Sequence, residues 1–222
     1  MNYDIAIRPT TDGHPIDALI AAYAAKTLSA PLSALVAAHL ALKPENRAYA
    51  AALDAVHGLF LQELRPVPLA GRDRRLVNIF AAPEPTPAPA ASSRRADTGT
   101  SVLPAALRRL AGGDLADLAW SKRSSGVKEA PLRDVAAGFL SVRPGKRLPV
   151  AGGDTTAVLV LAGRASDRNG DYARGDIILV GHDADDEPLA KDEGDCVCFV
   201  VAEGPAKAPG PFRRTLQRVI GG

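Results

Sequence analysis

Residues 81–100 read AAPEPTPAPAASSRRADTGT, and no compact core can absorb such a stretch. Prolines alternate with small and polar residues and no bulky apolar side chain appears, so burial cannot offset the entropy lost on ordering it. Its prolines bias it towards extended polyproline geometry. The stretch reads as a linker that divides the 222-residue chain into segments 1–80 and 101–222, each the size of a small domain. An apolar fraction of 46% supplies core material for both, and no run reaches the ~18 to 20 uninterrupted apolar residues of a membrane span.

The two segments differ in texture. Before the linker, alanine and leucine recur at helical spacing. A first helix is expected within 12–28, with Pro15 in its first turn and Leu19, Ile20, Tyr23 and Leu28 near one stripe. Ser29 is placed to cap a second helix carrying Leu32, Leu35, Val36, His39 and Leu40, and Pro44 interrupts that run. A third is expected over 45–64 with Tyr49, Leu53, Val56, Phe60 and Leu64 on its face, and a short fourth over 73–80. These helices predict a small bundle with a thin core.

After the linker, short apolar or alternating runs are punctuated by glycine and aspartate. Strands are expected at 118–123, 136–142, 157–162, 177–180 and 196–202, with turns at Arg143-Pro144-Gly145 and Arg168-Asn169-Gly170. Strands at this spacing indicate a sandwich or barrel. Phe212, Leu216, Val219 and Ile220 predict one closing helix. The fold class expected is therefore α+β in two domains, a helical bundle over 1–80 followed by an all-β domain over 101–222.

Several functional classes are disfavoured. The start, MNYDIAIRP, lacks the basic, apolar and small-residue zones of an export signal, which places the protein in the cytoplasm. Cys196 and Cys198, two apart on a strand, share a face but offer poor disulfide geometry, and core packing is the simplest reading of them; oxidation of either remains open as a trigger. The formal charge of +2 is nearly balanced and its arginine pairs are scattered, so neither nucleic acid nor membrane is expected as a partner. His57 reads as a surface or rim residue.

The runs His14-Pro15-Ile16-Asp17-Ala18-Leu19, Ala21-Ala22-Tyr23-Ala24-Ala25 and Leu35-Val36-Ala37-Ala38-His39-Leu40 resemble the start of the ChrR family of cupin-containing anti-sigma factors. Past the linker, Leu103-Pro104, Gly112-Gly113-Asp114-Leu115, Trp120, Gly126-Val127-Lys128, Gly170 to Asp176 and Cys196-Val197-Cys198 are similar to that family's jelly-roll cupin barrel. The resemblance implies that the helical domain binds a sigma factor of the extracytoplasmic-function type and holds it inactive, so regulating transcription without catalysis. Leu19, Tyr23, Leu32, Val36 and Phe60 are the helix-face residues expected to meet that partner. A barrel that senses a small ligand without metal is the alternative, and a cupin metalloenzyme is a further one.

The same resemblance assigns a zinc ion to two histidine and two cysteine positions. Here they hold His14, His39, Lys43 and Asn46. Thiolates supply most of the charge neutralisation at a structural zinc, whereas an ammonium repels the ion and an amide binds it poorly. No zinc or other cofactor is therefore expected. His39 reads instead as a half-buried ring making one hydrogen bond, and Lys43 as a cation favoured near a helix C-terminus. The cupin metal positions fall on Ala151, Gly152, Gly153, Thr156 or Ala157, and Asp186, with His182 nearby, and these make no strong ligand set.

Overall fold

The computed structural model describes residues 15–82, 103–150, 155–181, 187–191 and 194–203. The expected C-terminal helix and most of the proline-rich stretch lie outside them. The chain forms two compact units, residues 1–54 with 102–222, and residues 55–101.

In the first unit, α1 (Pro15–Ala24) starts on Pro15, whose missing N–H costs nothing in a first turn. The Ser29 hydroxyl accepts from the Leu32 N–H at 3.5 Å and caps α2 (Ala30–Leu42). A single 3₁₀ turn, Pro44–Asn46, follows. Arg47 then folds back to donate through Nε to the Leu40 carbonyl at 2.6 Å and through Nη2 to the Ala41 carbonyl at 2.9 Å. Two orphan carbonyls of α2 are thereby satisfied as α3 (Arg47–Glu63) begins. Helix α4 (Arg72–Ala81) lies in the second unit. A fifth helix, α5 (Ala105–Ala111), opens the segment after the linker and ends at Gly112 with φ +75. Its seven residues are too few for periodicity to reveal.

Nine strands follow, and all their pairings are antiparallel among the described residues. They are β1 (Ser121–Ser124), β2 (Val127–Pro131), β3 (Ala137–Val142), β4 (Thr155–Ala162), β5 (Ala165–Asp167), β6 (Gly170–Tyr172), β7 (Ile177–Val180), β8 (Leu189–Ala190) and β9 (Cys196–Glu203). One sheet has the order β1-β2-β3-β9-β4-β7 and the other β6-β5-β8. The five expected strands are present. Missing from the expectation were β2, whose charges and Pro131 mask the alternation, and the very short β5, β6 and β8.

Alternation along the central strands explains their nearly unbroken apolar sequence. Leu140, Val158, Val160, Cys196, Cys198 and Val200 point between the two sheets. Their neighbours Phe139, Leu159, Phe199 and Val201 point the other way, into a core shared with Leu19, Ile20, Leu35 and Val36 of α1 and α2. Both faces of the sheet are thus buried, one by the second sheet and one by helices. The first two helices build their core against the sheet, where the sequence suggested a bundle core of their own.

The expected apolar stripe of α3 needs correction in the same way. Ala50 is its buried residue and Leu53 packs against the shared core, but Tyr49, Val56, Phe60 and Leu64 are exposed.

One polar pair sits inside this framework. Arg123 Nη1 lies 3.4 Å from Glu129 Oε2 with both side chains nearly covered. Burial lowers the Arg123 pKa, and the Glu129 and Glu187 carboxylates raise it partway back. Replacing Glu129 by Gln withdraws that charge from a covered guanidinium and is expected to cost about 2 kcal/mol. Chemical denaturation reads the cost, and Arg123→Met added to Glu129→Leu should recover most of it.

Candidate functional site

The C-terminal end of α2 meets the turn between β6 and β7. His39 is 2% exposed. Its Nδ1 lies 2.6 Å from the Gly175 carbonyl oxygen, and a carbonyl only accepts, so Nδ1 carries the hydrogen. Its Nε2 lies 2.8 Å from the Asn46 amide nitrogen, which only donates, so Nε2 supplies the lone pair. Both ring nitrogens are committed, and the half-buried ring with one hydrogen bond expected from sequence is corrected on both counts. Beside it, Lys43 Nζ lies 2.9 Å from Asp176 Oδ1, while Asp176 Oδ2 accepts from the Ala173 N–H at 2.8 Å.

Glycine is required at the contact. Gly175 has φ +92, and a Cβ there would stand 2.9 Å from Leu42 Cβ and 3.1 Å from the Lys43 stem. Its carbonyl can therefore reach His39 only because no side chain intervenes.

These residues occupy three of the four positions that the resemblance assigns to zinc; His14 lies outside the described residues. They offer a ring whose one lone pair is already engaged, an ammonium held in an ion pair, and an amide nitrogen. Zinc requires deprotonated nitrogen, sulfur or oxygen donors with free lone pairs. The donor set does not fit the ion.

Between the sheets the described interior is apolar. Of the cupin metal positions, Ala151, Gly152, Gly153 and Asp186, with His182, lie outside the described residues. Thr156 on β4 is buried, with its hydroxyl unpartnered among the described residues, and a neutral hydroxyl brings no charge to a divalent cation. No group of three or more His, Cys, Asp or Glu side chains converges among the described residues.

Cys196 and Cys198 point into this interior with their sulfurs 3.5 Å apart, both buried and unbridged. The hydrogen bond between them lowers the Cys196 pKa, and together with burial it pushes Cys198 well up. Access decides their reactivity, since a bulky disulfide reagent must reach sulfur to react. Such a reagent is expected to label neither thiol in the folded protein and both on denaturation, which absorbance of the released thiolate measures. At the β5–β6 hairpin, burial and then the Asp167 carboxylate push the Tyr172 phenol up to about 12. It stays a donor to that carboxylate at 3.2 Å, closing the turn.

A different set of side chains stands exposed along residues 49–80. Every exposed large apolar side chain among the described residues except Leu189 falls there. Phe60 is 62% exposed and Phe80 84%. Of the five helix-face residues chosen from sequence, Leu19, Leu32 and Val36 are core. Tyr23 is half-buried, with the Lys26 ammonium 4.8 Å above its ring, and Phe60 alone stands clear. Sequence reasoning missed Leu59, Leu61, Ile79 and Phe80. A signal was present, because Leu59-Phe60-Leu61 are consecutive and cannot all face one core from a helix. In the second unit Val67, Leu69, Leu76 and Ile79 line an apolar groove with Arg72 and Arg75.

No family model matches the chain. It is 34% identical over 198 residues to the anti-sigma-E factor ChrR of Cereibacter sphaeroides, covering 87% of this chain and 91% of that protein. It is also similar to a chain in the crystal structure of Rhodobacter sphaeroides SigE in complex with the anti-sigma ChrR. The TM-score is 0.68 at 32% identity, covering 84% of this chain and 96% of that one.

Proposed function

The chain belongs to the ChrR family of anti-sigma factors, and from that membership we propose that it binds and sequesters a sigma factor of the extracytoplasmic-function type. It acts as a regulator of transcription and not as an enzyme. The observation that carries this reading is the series of exposed large apolar side chains on residues 56–80 of the second unit. Large apolar side chains left in water in such number mark a surface that a partner can cover.

The magnitudes agree. Burying one large apolar side chain contributes about 1.5 to 3 kcal/mol. Six of them therefore supply roughly 9 to 18 kcal/mol, enough to overcome much of the association cost, which is about 4 to 15 kcal/mol. On α4, Arg72, Arg74 and Arg75 lie next in sequence to Leu76, Val77, Ile79 and Phe80, so a complementary partner groove would be apolar with acidic groups at its rim.

Support for a non-catalytic reading comes from membership of a family of anti-sigma factors. A sigma factor acts on RNA polymerase, so the protein works in the cytoplasm. Among the described residues no helix is long and apolar enough to cross a membrane.

Co-expression with the cognate sigma factor and affinity capture of the full chain tests this. A stable complex is expected, and treatment with a chelator should leave it intact. Failure of the folded full chain to retain the sigma factor would overturn the assignment.

A further inference from the structure

We propose that His39, Asn46 and Lys43 form a metal-free latch with the Gly175 carbonyl and Asp176, fastening the end of α2 to the β6–β7 turn of the sheet domain. The residues standing at the family's zinc positions thus serve a different purpose in this chain. They join a helix to a sheet domain 136 residues away in sequence.

The latch has a strong part and a weak part. The strong part is the buried chain from the Asn46 amide through the His39 ring to the Gly175 carbonyl. Loss of either hydrogen bond leaves a polar atom shielded from water, the costly case for such groups. The weak part is the pair between Lys43 and Asp176, whose side chains are 26% and 31% exposed and which solvent screens. It orients the turn, since the other Asp176 oxygen fixes the Ala173 N–H. Arg47, capping α2 one residue after Asn46, holds the same short segment from its other side. The Leu42 and Lys43 stems close over Gly175, so the whole contact depends on that residue having no side chain.

The consequence is a reciprocal coupling. A disturbance of the sheet domain at 173–176 reaches residues 39–46, from which α3 departs. No ion needs to be gained or lost. The inference does not depend on the identity of the partner, and its test uses none.

Backbone amide exchange is measured by mass spectrometry on the full-length protein, following the peptides that span 39–46. Gly175→Ala drives a Cβ into Leu42 and Lys43, and exchange in those peptides should accelerate at least tenfold. Gly145→Ala is the matched control, because Gly145 has φ +73 with nothing within 4 Å of a Cβ, so it strains a turn of the sheet domain without touching the helix. It should leave 39–46 unchanged. Should Gly175→Ala fail to fold, Asp176→Asn keeps an acceptor for Ala173 and removes the ion pair; a smaller acceleration is expected. Lys43→Met should match it, with the double variant no faster than either single. Equal exchange in the Gly175 and Gly145 variants would overturn the latch, as would additive effects of Lys43→Met and Asp176→Asn. So would one bound zinc per chain whose removal accelerates the same peptides.

Discussion

Replacing Phe60 and Phe80 together by glutamate is expected to abolish capture of the sigma factor while leaving the melting temperature of the free chain unchanged. Both rings are largely in water in the free protein, so their removal takes little from the folded state. In a complex each would be a desolvated aromatic anchor, the type of residue whose loss costs about 2 to 4 kcal/mol, or roughly 30- to 1000-fold in affinity. A buried carboxylate in the same place adds its own desolvation cost. The informative contrast is Leu32→Ala. Leu32 was an equally good partner residue by sequence, yet it is buried in the core. That substitution should lower the melting temperature and leave capture intact well below it. Isothermal titration of the three proteins separates the outcomes. Wild-type affinity in the double glutamate variant would remove the exposed apolar side chains of residues 56–80 from the interface.

The contrast between Phe60 and Leu32 also marks where sequence reading stops. Periodicity located α1 to α4 because each presents apolar residues at three- and four-residue steps, and Ser29 and Pro44 mark the two ends of α2. It could not say what each stripe faces. Leu32 and Val36 pack with Phe139 and Phe199 in one cluster, and that pairing joins segments more than a hundred residues apart, which no local pattern encodes. The strands were legible where the sheet is buried on both faces, as in Thr155–Ala162 and Cys196–Glu203, since such strands read as continuous apolar runs. Short edge elements such as Gly170–Tyr172 lack that signature. At the zinc positions, the identities of Lys43 and Asn46 spoke against the ion. The partners these side chains have, Gly175 and Asp176, are visible only once the turn is seen against the helix.

Phe199→Ala is expected to be among the most damaging single substitutions in the chain, costing about 3 to 5 kcal/mol. Phe199 is fully buried at the centre of β9, directly across from Phe139 on β3, with ring centroids 5.0 Å apart and tilted by 48°. An aromatic pair of this kind adds about 0.5 to 1.5 kcal/mol beyond the burial of its area. The loss is a large share of the ~5 to 15 kcal/mol that holds a typical domain folded, and it should lower the melting temperature by about 10 °C or more. The manner of unfolding matters as much as the amount. Phe199 belongs to the cluster that contains Leu19, Ile20, Leu35 and Val36, so α1 and α2 lose their packing when the sheet does. Trp120, the single tryptophan, rests against that cluster and reports on it by fluorescence. Amide protection in residues 15–42 and Trp120 fluorescence should therefore be lost in one shared transition, in the wild type and in Phe199→Ala alike. Helices 15–42 surviving as a separate, later transition would mean that they carry a core of their own. Cys198→Ala, one residue away on the opposite face of β9, removes far less volume from between the sheets and should lower the melting temperature by only a fraction of that amount.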